Sequence, residues 1–270
     1  MDEVKAVLTI AGSDSGGGAG IQADLRTFSF HCVHGTSAIT CVTAQNTVSV
    51  QRVDALPPEA VSAQIESVVK DIGIDAAKTG MLLNAEIIAT VAESVERWGI
   101  SRWVVDPVMV SRTGVQLIDD RAIDTLRELL IPQATILTPN RYESQILTGL
   151  EIDSLKAMKI SAEKIHQLGA KNVLVKGGGM VGDLRGVDVW FDGENWEILQ
   201  TKTIDTKNTH GTGCTLSAAI AANLAKGQNP LTSTRNAKNY VTCALQYALD
   251  IGMGTGPVGH FFPLLKDEET

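Results

Sequence analysis

The chain has 270 residues, which suits one large α/β domain, although length alone would also allow two. Its net charge of −8 and the lack of a basic run argue against a nucleic-acid partner. The N-terminus shows no cationic leader and no apolar run long enough for a membrane helix, so we expect a cytoplasmic protein with no membrane partner.

The four cysteines lack the C-x-x-C spacing of a zinc site and do not suggest a disulfide framework. Three of them, Cys32, Cys41 and Cys243, fall within apolar periodic segments, so we expect them to be small buried side chains. Cys214 lies in a different setting, taken up below.

The first predicted strand covers residues 7–11 and runs into the loop Gly12-Ser-Asp-Ser-Gly-Gly-Gly-Ala-Gly20. A helical pattern follows, with apolar residues at Ile21, Leu25, Phe28 and Cys32. No Lys-Ser/Thr follows the glycines, so the loop is not a Walker A motif. It also begins too far beyond the strand for a dinucleotide fingerprint. A loop whose bare backbone approaches a small substrate fits better.

A second strand is predicted over residues 35–46, where β-branched residues are frequent. Gln45 comes at its carboxyl end, the side on which open α/β sheets bind ligands. Its amide offers both a donor and an acceptor. The alternative is an exposed polar residue that only ends the strand.

Further along, helices and strands alternate, which predicts a largely parallel sheet. The pattern predicts helices from Pro58 and through residues 88–98, with strands at 76–79 and 103–106. Right-handed crossovers then bring Gly12, Gln45, Met81 and Asp106 to one edge of the sheet. Met81 and Val108 are candidate apolar walls there, although either would also serve as plain core.

The next segment contains a helix over residues 119–130 and a strand over 134–137. Asn140 and Glu143 then have the spacing of a helix N-cap and its reciprocal partner. A strand over 173–176 ends in Lys176, which position alone would make an ordinary solvated lysine. Gly193 lies in a predicted hairpin between residues 186–192 and 196–199.

The most informative segment is residues 203–226, where a polar, turn-rich run changes into an Ala/Leu/Ile helix. Gly211 and Gly213 permit a tight turn that leaves unpaired N–H groups at the helix start, a ready anion site. We expect the helix N-terminus to stabilise the thiolate and lower the pKa of Cys214, so that this residue can take a proton beside a bound phosphate. The structural alternative is a simple helix start with a half-buried cysteine. A second helix is predicted from Asn236 to Leu249.

Asp205-Thr-Lys-Asn-Thr-His-Gly-Thr-Gly-Cys214 resembles the C-terminal signature of the ribokinase superfamily, which usually ends in Gly-x-Gly-Asp. The variant with cysteine resembles the hydroxymethylpyrimidine and phosphomethylpyrimidine kinases of thiamin synthesis and some pyridoxal kinases. The glycine loop and the tail that begins at Gly254 also look like that family, and the resemblance covers nearly the whole chain. It implies one ribokinase-like α/β domain over residues 1–270, a mostly parallel sheet flanked by helices on both faces, and a homodimer.

The resemblance implies ATP-dependent phosphorylation of 4-amino-5-hydroxymethyl-2-methylpyrimidine and then of its monophosphate. One alternative is a pyridoxal kinase of the same fold, and another is a ligand-binding regulator built on an inactive kinase. Gln45 favours the pyrimidine, because an amide matches an aminopyrimidine edge whereas pyridoxal kinases tend to be apolar at this position.

The resemblance also implies roles for individual residues. The catalytic turn consists of Gly211, Thr212, Gly213 and Cys214. The pyrimidine pocket is lined by Gly12, Ala19, Gln45, Met81 and Val108. Lys176, Asn140 and Thr206 approach the ATP phosphates, and Asp106 and Glu143 organise Mg²⁺ through water.

Overall fold

The computed structural model describes residues 4–110 and 116–266. Within these residues, one sheet of nine strands has the order β3-β2-β1-β4-β5-β6-β7-β8-β9. The strands are β1 (Ala6–Asp14), β2 (His34–Gln45), β3 (Val50–Ala55), β4 (Ala76–Thr79), β5 (Trp103–Val105), β6 (Ile136–Leu137), β7 (Val173–Val175), β8 (Asp188–Phe191) and β9 (Trp196–Leu199).

The centre of the sheet is parallel and its two ends are antiparallel. Strands β2, β1, β4, β5, β6 and β7 run in parallel, whereas β3, β8 and β9 pair antiparallel. The chain first moves outward from β1 to β3 and then resumes on the other side of β1 at β4. The carboxyl ends of β1 and β4 therefore flank a topological switch point, the usual place for a ligand site in such sheets.

Helices cover both faces of the sheet, as the sequence predicts. They are α1 (Gly20–Phe30), α2 (Pro58–Asp71), α3 (Ala85–Arg97), α4 (Asp120–Thr125), α5 (Arg141–Thr148), α6 (Leu155–His166), α7 (Thr212–Ala225), α8 (Pro230–Gln246) and α9 (Phe262–Lys266). Helices α2 to α6 pack in one apolar cluster, and α1, α7 and α8 pack in another on the opposite face.

Strand periodicity produces these two cores. Val104 belongs to the α7 side and Val105 to the α3 side, because successive side chains point to opposite faces of a strand. Both faces are covered, so the central strands read as continuous apolar runs rather than alternating ones. Helix α7 is buried on nearly every side from Thr215 to Ala225, and its many alanines permit this close packing.

Several boundaries differ from the sequence prediction. Helix α8 begins at Pro230 rather than Asn236, because Asn229 caps it and a proline suits the first turn. Strand β6 is only Ile136–Leu137, and β3 was not predicted.

The prediction of three buried cysteines is wrong for one of them. Cys41 is buried and Cys243 half-buried, but Cys32 is exposed. Helix α1 ends at Phe30, and Cys32 turns away from its apolar face with a left-handed φ of 55°. No helix in the described part of the chain is long and apolar enough to span a bilayer.

Candidate active site

Two glycine-containing turns meet at the carboxyl edge of the sheet. Gly211 caps helix α7 with a left-handed φ of 82°, and a Cβ on it would collide with the carbonyl oxygen of Gly18. A Cβ on Gly18 would in turn collide with the ring of His210. Glycine is required at both places because the two backbones touch. The loop after β1 and the start of α7 therefore form one continuous wall.

Asp14 fixes the shape of that wall. Its carboxylate accepts backbone N–H groups from Gly16 at 2.9 Å, Gly18 at 3.0 Å and Ala19 at 2.8 Å. It also lies 2.8 Å from Nε2 of His210. Burial opposes ionisation, but the hydrogen bonds from His210 and the backbone outweigh it and lower the pKa of Asp14. Sequence reasoning missed both Asp14 and His210, although an Asp before a glycine run is a typical loop anchor.

Asp106 and Lys176 form an ion pair at the start of α7. Lys176 Nζ lies 2.9 Å from Asp106 Oδ1, and Ser217 Oγ donates to Asp106 Oδ2 at 3.2 Å. A Cβ placed on Gly213 would lie 3.5 Å from the Lys176 amine and 3.7 Å from Asp106 Oδ2. The end of β5, the end of β7 and the turn from Gly211 to Cys214 therefore converge, as the family resemblance implies.

The lysine remains a cation in this partly enclosed position. Burial alone would lower the pKa of Lys176, but the Asp106 and Glu143 carboxylates reverse that effect and raise it. A positive charge thus lies beside Gly213 in the first turn of α7.

Glu143 closes a capping box at the start of α5. Asn140 accepts the N–H of Glu143 at 3.0 Å, and Glu143 accepts the N–H of Asn140 at 2.7 Å. Glu143 also accepts the N–H of Met109, which follows Val108. Burial raises the pKa of Glu143 to about 7, although Lys176 opposes the rise. The structural role predicted for this pair is confirmed, and its carboxylate lies close enough to Lys176 to affect that side chain.

The expectation that the helix terminus lowers the pKa of Cys214 is wrong. Loss of water around the thiol raises its pKa to about 11, well above the ordinary 9.0. Lys78 and the Gly20 N–H, which donates to the sulfur, lower it, whereas Asp24 and Asp106 raise it. The dipole at a helix start is a modest effect, and desolvation exceeds it here.

A fully buried ion pair lies beneath the thiol, and sequence reasoning did not find it. Lys78 Nζ contacts the two Asp24 carboxylate oxygens at 3.0 and 2.9 Å, and both side chains are 0% exposed. Thr9 donates to the same carboxylate at 2.7 Å. The available signal was a single lysine within the apolar strand β4, because an unpaired charge there would be very costly.

The residues predicted to line the pyrimidine pocket surround the switch point. Gly12 faces Met81 and Cys41, since a Cβ on it would lie 3.0 Å from the Met81 methyl and 2.6 Å from the Cys41 sulfur. Gln45 is half-buried at the end of β2, with its amide 3.4 Å from His210 Nε2.

Val108 has a left-handed φ of 36°, which is unusual for a β-branched residue. Such strain is concentrated at functional sites, where the surrounding structure enforces it. Val108 lies two residues beyond Asp106, on the same edge of the sheet as the turn from Gly211 to Cys214.

Within the described residues, the hydrogen bonds of two predicted site residues join them only to backbone groups close to them in the sequence. Thr212 donates its hydroxyl proton to the Thr209 carbonyl at 2.6 Å and so stabilises the first turn of α7. Thr206 accepts the N–H of Asn208 at 3.1 Å, and the described contacts do not join it to Lys176. The assignment of Thr206 to the ATP site stays a prediction.

Comparison with known proteins agrees with this arrangement. A family model described as phosphomethylpyrimidine kinase matches residues 14–259. The chain is 58% identical over 261 residues to the hydroxymethylpyrimidine/phosphomethylpyrimidine kinase of Synechococcus elongatus, which covers 97% of this chain and 99% of that protein.

Solved structures show the same fold. The ADP complex of Bacillus subtilis pyridoxal kinase has a TM-score of 0.90 at 39% identity, covering 96% of this chain and 98% of that one. Phosphomethylpyrimidine kinase from Clostridium difficile has a TM-score of 0.79 at 41% identity, covering 88% and 98%. The structures and the sequence match together show that the protein has a ribokinase-like fold and that the chain belongs to the phosphomethylpyrimidine kinase family.

Proposed function

We propose that the protein transfers the γ-phosphoryl group of ATP to the hydroxymethyl group of an aminopyrimidine, and then phosphorylates the resulting monophosphate. The observation that carries this proposal is the convergence of Lys176, Asp106 and Gly213 at the start of α7, beside Cys214. The name of the relative from Synechococcus elongatus, at 58% identity, supports the same two reactions.

The catalytic turn stabilises charge that develops on the transferred group. The N–H of Thr212 donates to the Thr209 carbonyl oxygen at 3.3 Å, whereas the N–H groups of Gly213 and Cys214 have no partner within the helix and can face an incoming anion. Lys176 adds a full positive charge on the same side. Phosphoryl transfer depends mainly on positioning and on such electrostatic stabilisation, so these groups supply most of the effect expected of the protein.

Asp106 and Glu143 are our candidates for holding Mg²⁺ together with ATP. Two carboxylates fit this ion, which usually keeps several waters and binds through one or two carboxylates plus substrate phosphates. Asp106 already binds Lys176 and Ser217, and Glu143 already closes the capping box, which favours contact through water. When bound, Mg²⁺ would neutralise charge on the phosphates.

Cys214 is our candidate for receiving the hydroxyl proton in the first reaction. With a pKa of about 11, the thiol is neutral near pH 7, so only its small thiolate fraction can act as a base. The second reaction joins phosphate to phosphate and removes no alcohol proton. We therefore assign Cys214 a larger role in the first reaction than in the second.

A product assay with ATP tests the proposal directly. Hydroxymethylpyrimidine and pyridoxal should be supplied side by side, because the Bacillus subtilis pyridoxal kinase shares this fold with a TM-score of 0.90. We expect the pyrimidine monophosphate and then the diphosphate to accumulate. Phosphorylation of pyridoxal alone would show that the protein is the alternative enzyme. No ATP consumption with either compound would favour a ligand-binding regulator.

We also propose that the chain acts as a single domain and as a homodimer. One sheet runs through the described residues from β1 to β9, which supports a single folding unit. Strand β3 is exposed along its whole length at one edge of that sheet, and its Val50 and Val53 are exposed together with Val42 on the neighbouring strand β2. Exposed edges of this kind favour pairing with another chain. Sedimentation of wild type and Val53→Lys tests the dimer, and a monomeric wild type would refute it.

A further inference from the structure

The polar contacts of Gln45 determine how its amide is oriented. As placed, the amide oxygen lies 3.4 Å from Thr43 Oγ1 and the amide nitrogen lies 3.4 Å from His210 Nε2. A rotation of 180° exchanges the oxygen and nitrogen of an amide without changing the space it fills, so the neighbours must decide between the two orientations.

Thr43 can only accept a hydrogen bond from Gln45. Its single hydroxyl proton is used by the carbonyl oxygen of Ser13, at 2.8 Å. The end of the amide that faces Thr43 must therefore be the NH₂ group.

His210 can only donate to Gln45 from its Nε2 atom. That atom lies 2.8 Å from an oxygen of Asp14, and an ionised carboxylate accepts but cannot donate. Nε2 must therefore carry a hydrogen, and an NH₂ group facing it would place two donors together. The amide oxygen faces His210 instead, where the same N–H serves both Asp14 and Gln45. The two neighbours of Gln45 select the same orientation independently.

The ring of His210 is held firmly enough to fix that orientation. The ring lies against the backbone of Gly18, where a larger residue would collide with it. The His210 side chain is only 22% exposed. The Asp14 carboxylate that anchors it is itself held by the N–H groups of Gly16, Gly18 and Ala19.

We propose that His210 is a positioning residue that sets substrate choice by holding the Gln45 amide oxygen toward its own Nε2–H. One amide N–H of Gln45 is then used by Thr43. The second N–H remains for a ring nitrogen, and the second lone pair of the oxygen remains for an exocyclic amine. An aminopyrimidine presents these two groups side by side. This inference rests on the proposed function, because it explains why that function would favour a pyrimidine over pyridoxal.

Two variants with side chains of similar length separate the effect of the His210 N–H donor from the effect of the side-chain shape. His210→Gln keeps an N–H donor near the position of Nε2, whereas His210→Met removes it. We expect His210→Met to raise the KM for hydroxymethylpyrimidine about tenfold, the effect of a lost buried partner, while the KM for ATP stays unchanged. His210→Gln should restore most of the loss. Equal defects in the two variants would overturn the proposal.

A double-mutant cycle tests whether His210 acts through Gln45. The ratio of kcat/KM for hydroxymethylpyrimidine to that for pyridoxal would be measured in wild type, His210→Met, Gln45→Met and the double variant. Residues that act through one contact are not additive, so His210→Met should leave the ratio unchanged once Gln45 is methionine. Full additivity would overturn the proposal.

A spectroscopic measurement decides the point without enzyme activity. Long-range ¹H–¹⁵N correlation spectra identify which ring nitrogen carries hydrogen, with His210→Gln used to assign the signal. We expect Nε2 of His210 to be protonated. A ring protonated on Nδ1 alone would overturn the inference even in an active pyrimidine kinase. If wild type phosphorylated only pyridoxal, the proposed function would fail, and the protonation of Nε2 would still decide whether His210 can hold Gln45.

Discussion

If Cys214 is the base, as proposed, its raised pKa should make the first reaction depend steeply on pH. With a pKa of about 11, the thiolate fraction is on the order of 10⁻⁴ at pH 7 and grows about tenfold with each pH unit. If the thiolate is the base, kcat/KM for the free alcohol should rise by about two orders of magnitude between pH 7 and pH 9. A thiol with the lowered pKa first expected from the helix start would instead give a plateau above neutrality.

The assay compares the two reactions of the same enzyme. Glu143, with a pKa of about 7, also titrates in this range, and its proposed contact with Mg-ATP is common to both reactions. Phosphorylation of the monophosphate removes no alcohol proton, so the ratio of the two kcat/KM values isolates Cys214. Measurements should stop at pH 9. Above the ordinary thiol pKa of 9.0 the unfolded chain loses the proton more readily than the folded one, so stability falls as pH rises.

Two variants complete the experiment. Cys214→Ala should lose 10²–10⁴-fold, or about 3–5 kcal/mol of barrier, on the alcohol, and its ratio of rates should not change with pH. Cys214→Asp should keep partial activity with a weak pH dependence, because a carboxylate ionises at lower pH. A ratio that is flat in wild type, or an alanine variant within about threefold of wild type, would refute the thiolate as base.

Three further substitutions test the rest of the site. Lys176→Met should raise the KM for ATP and slow turnover in steady-state assays while the KM for the pyrimidine stays constant. A higher KM for the pyrimidine with an unchanged KM for ATP would show that Lys176 does not contact the nucleotide. Gln45→Met should weaken hydroxymethylpyrimidine by about 1–3 kcal/mol in calorimetric titration and affect pyridoxal less, because a buried polar partner is lost. An equal loss of binding free energy for both compounds would show that Gln45 does not recognise the pyrimidine ring. Lys78→Met should lower the free energy of unfolding in urea by about 3–5 kcal/mol, because it leaves Asp24 buried without its cation, and adding Asp24→Leu should recover most of that loss. If Lys78→Met alone lowered the free energy of unfolding by less than about 1 kcal/mol, the pair with Asp24 would not be important for stability.

Much of the fold is encoded in short stretches of sequence, and those stretches predicted it well. Apolar runs and helical periodicity located eight of the nine strands in the described residues and most of the helices. Strand β3 was missed because all its residues are exposed and it has no apolar face, so only pairing with β2 makes it a strand. The capping box of Asn140 and Glu143 was predictable because its hydrogen bonds join residues only three positions apart.

Local sequence patterns were enough to identify the components of the candidate site: the glycine loop, Gln45, Asp106, Lys176 and the turn before Cys214. Each is marked by a local pattern or by its place at the end of a strand. Parallel strands with right-handed crossovers then bring those ends to one edge, whatever the details of packing.

The partners of these groups and their pKa values depend on contacts between distant parts of the chain. Asp14 and His210 are 196 positions apart and meet because two bare glycine backbones allow their loops to touch. Lys78 in strand β4 forms an ion pair with Asp24 in helix α1, and no local sequence pattern indicates this pairing. The pKa of Cys214 depends on how much water packing removes from the thiol, and this desolvation outweighed the helix-terminus effect that the sequence indicates.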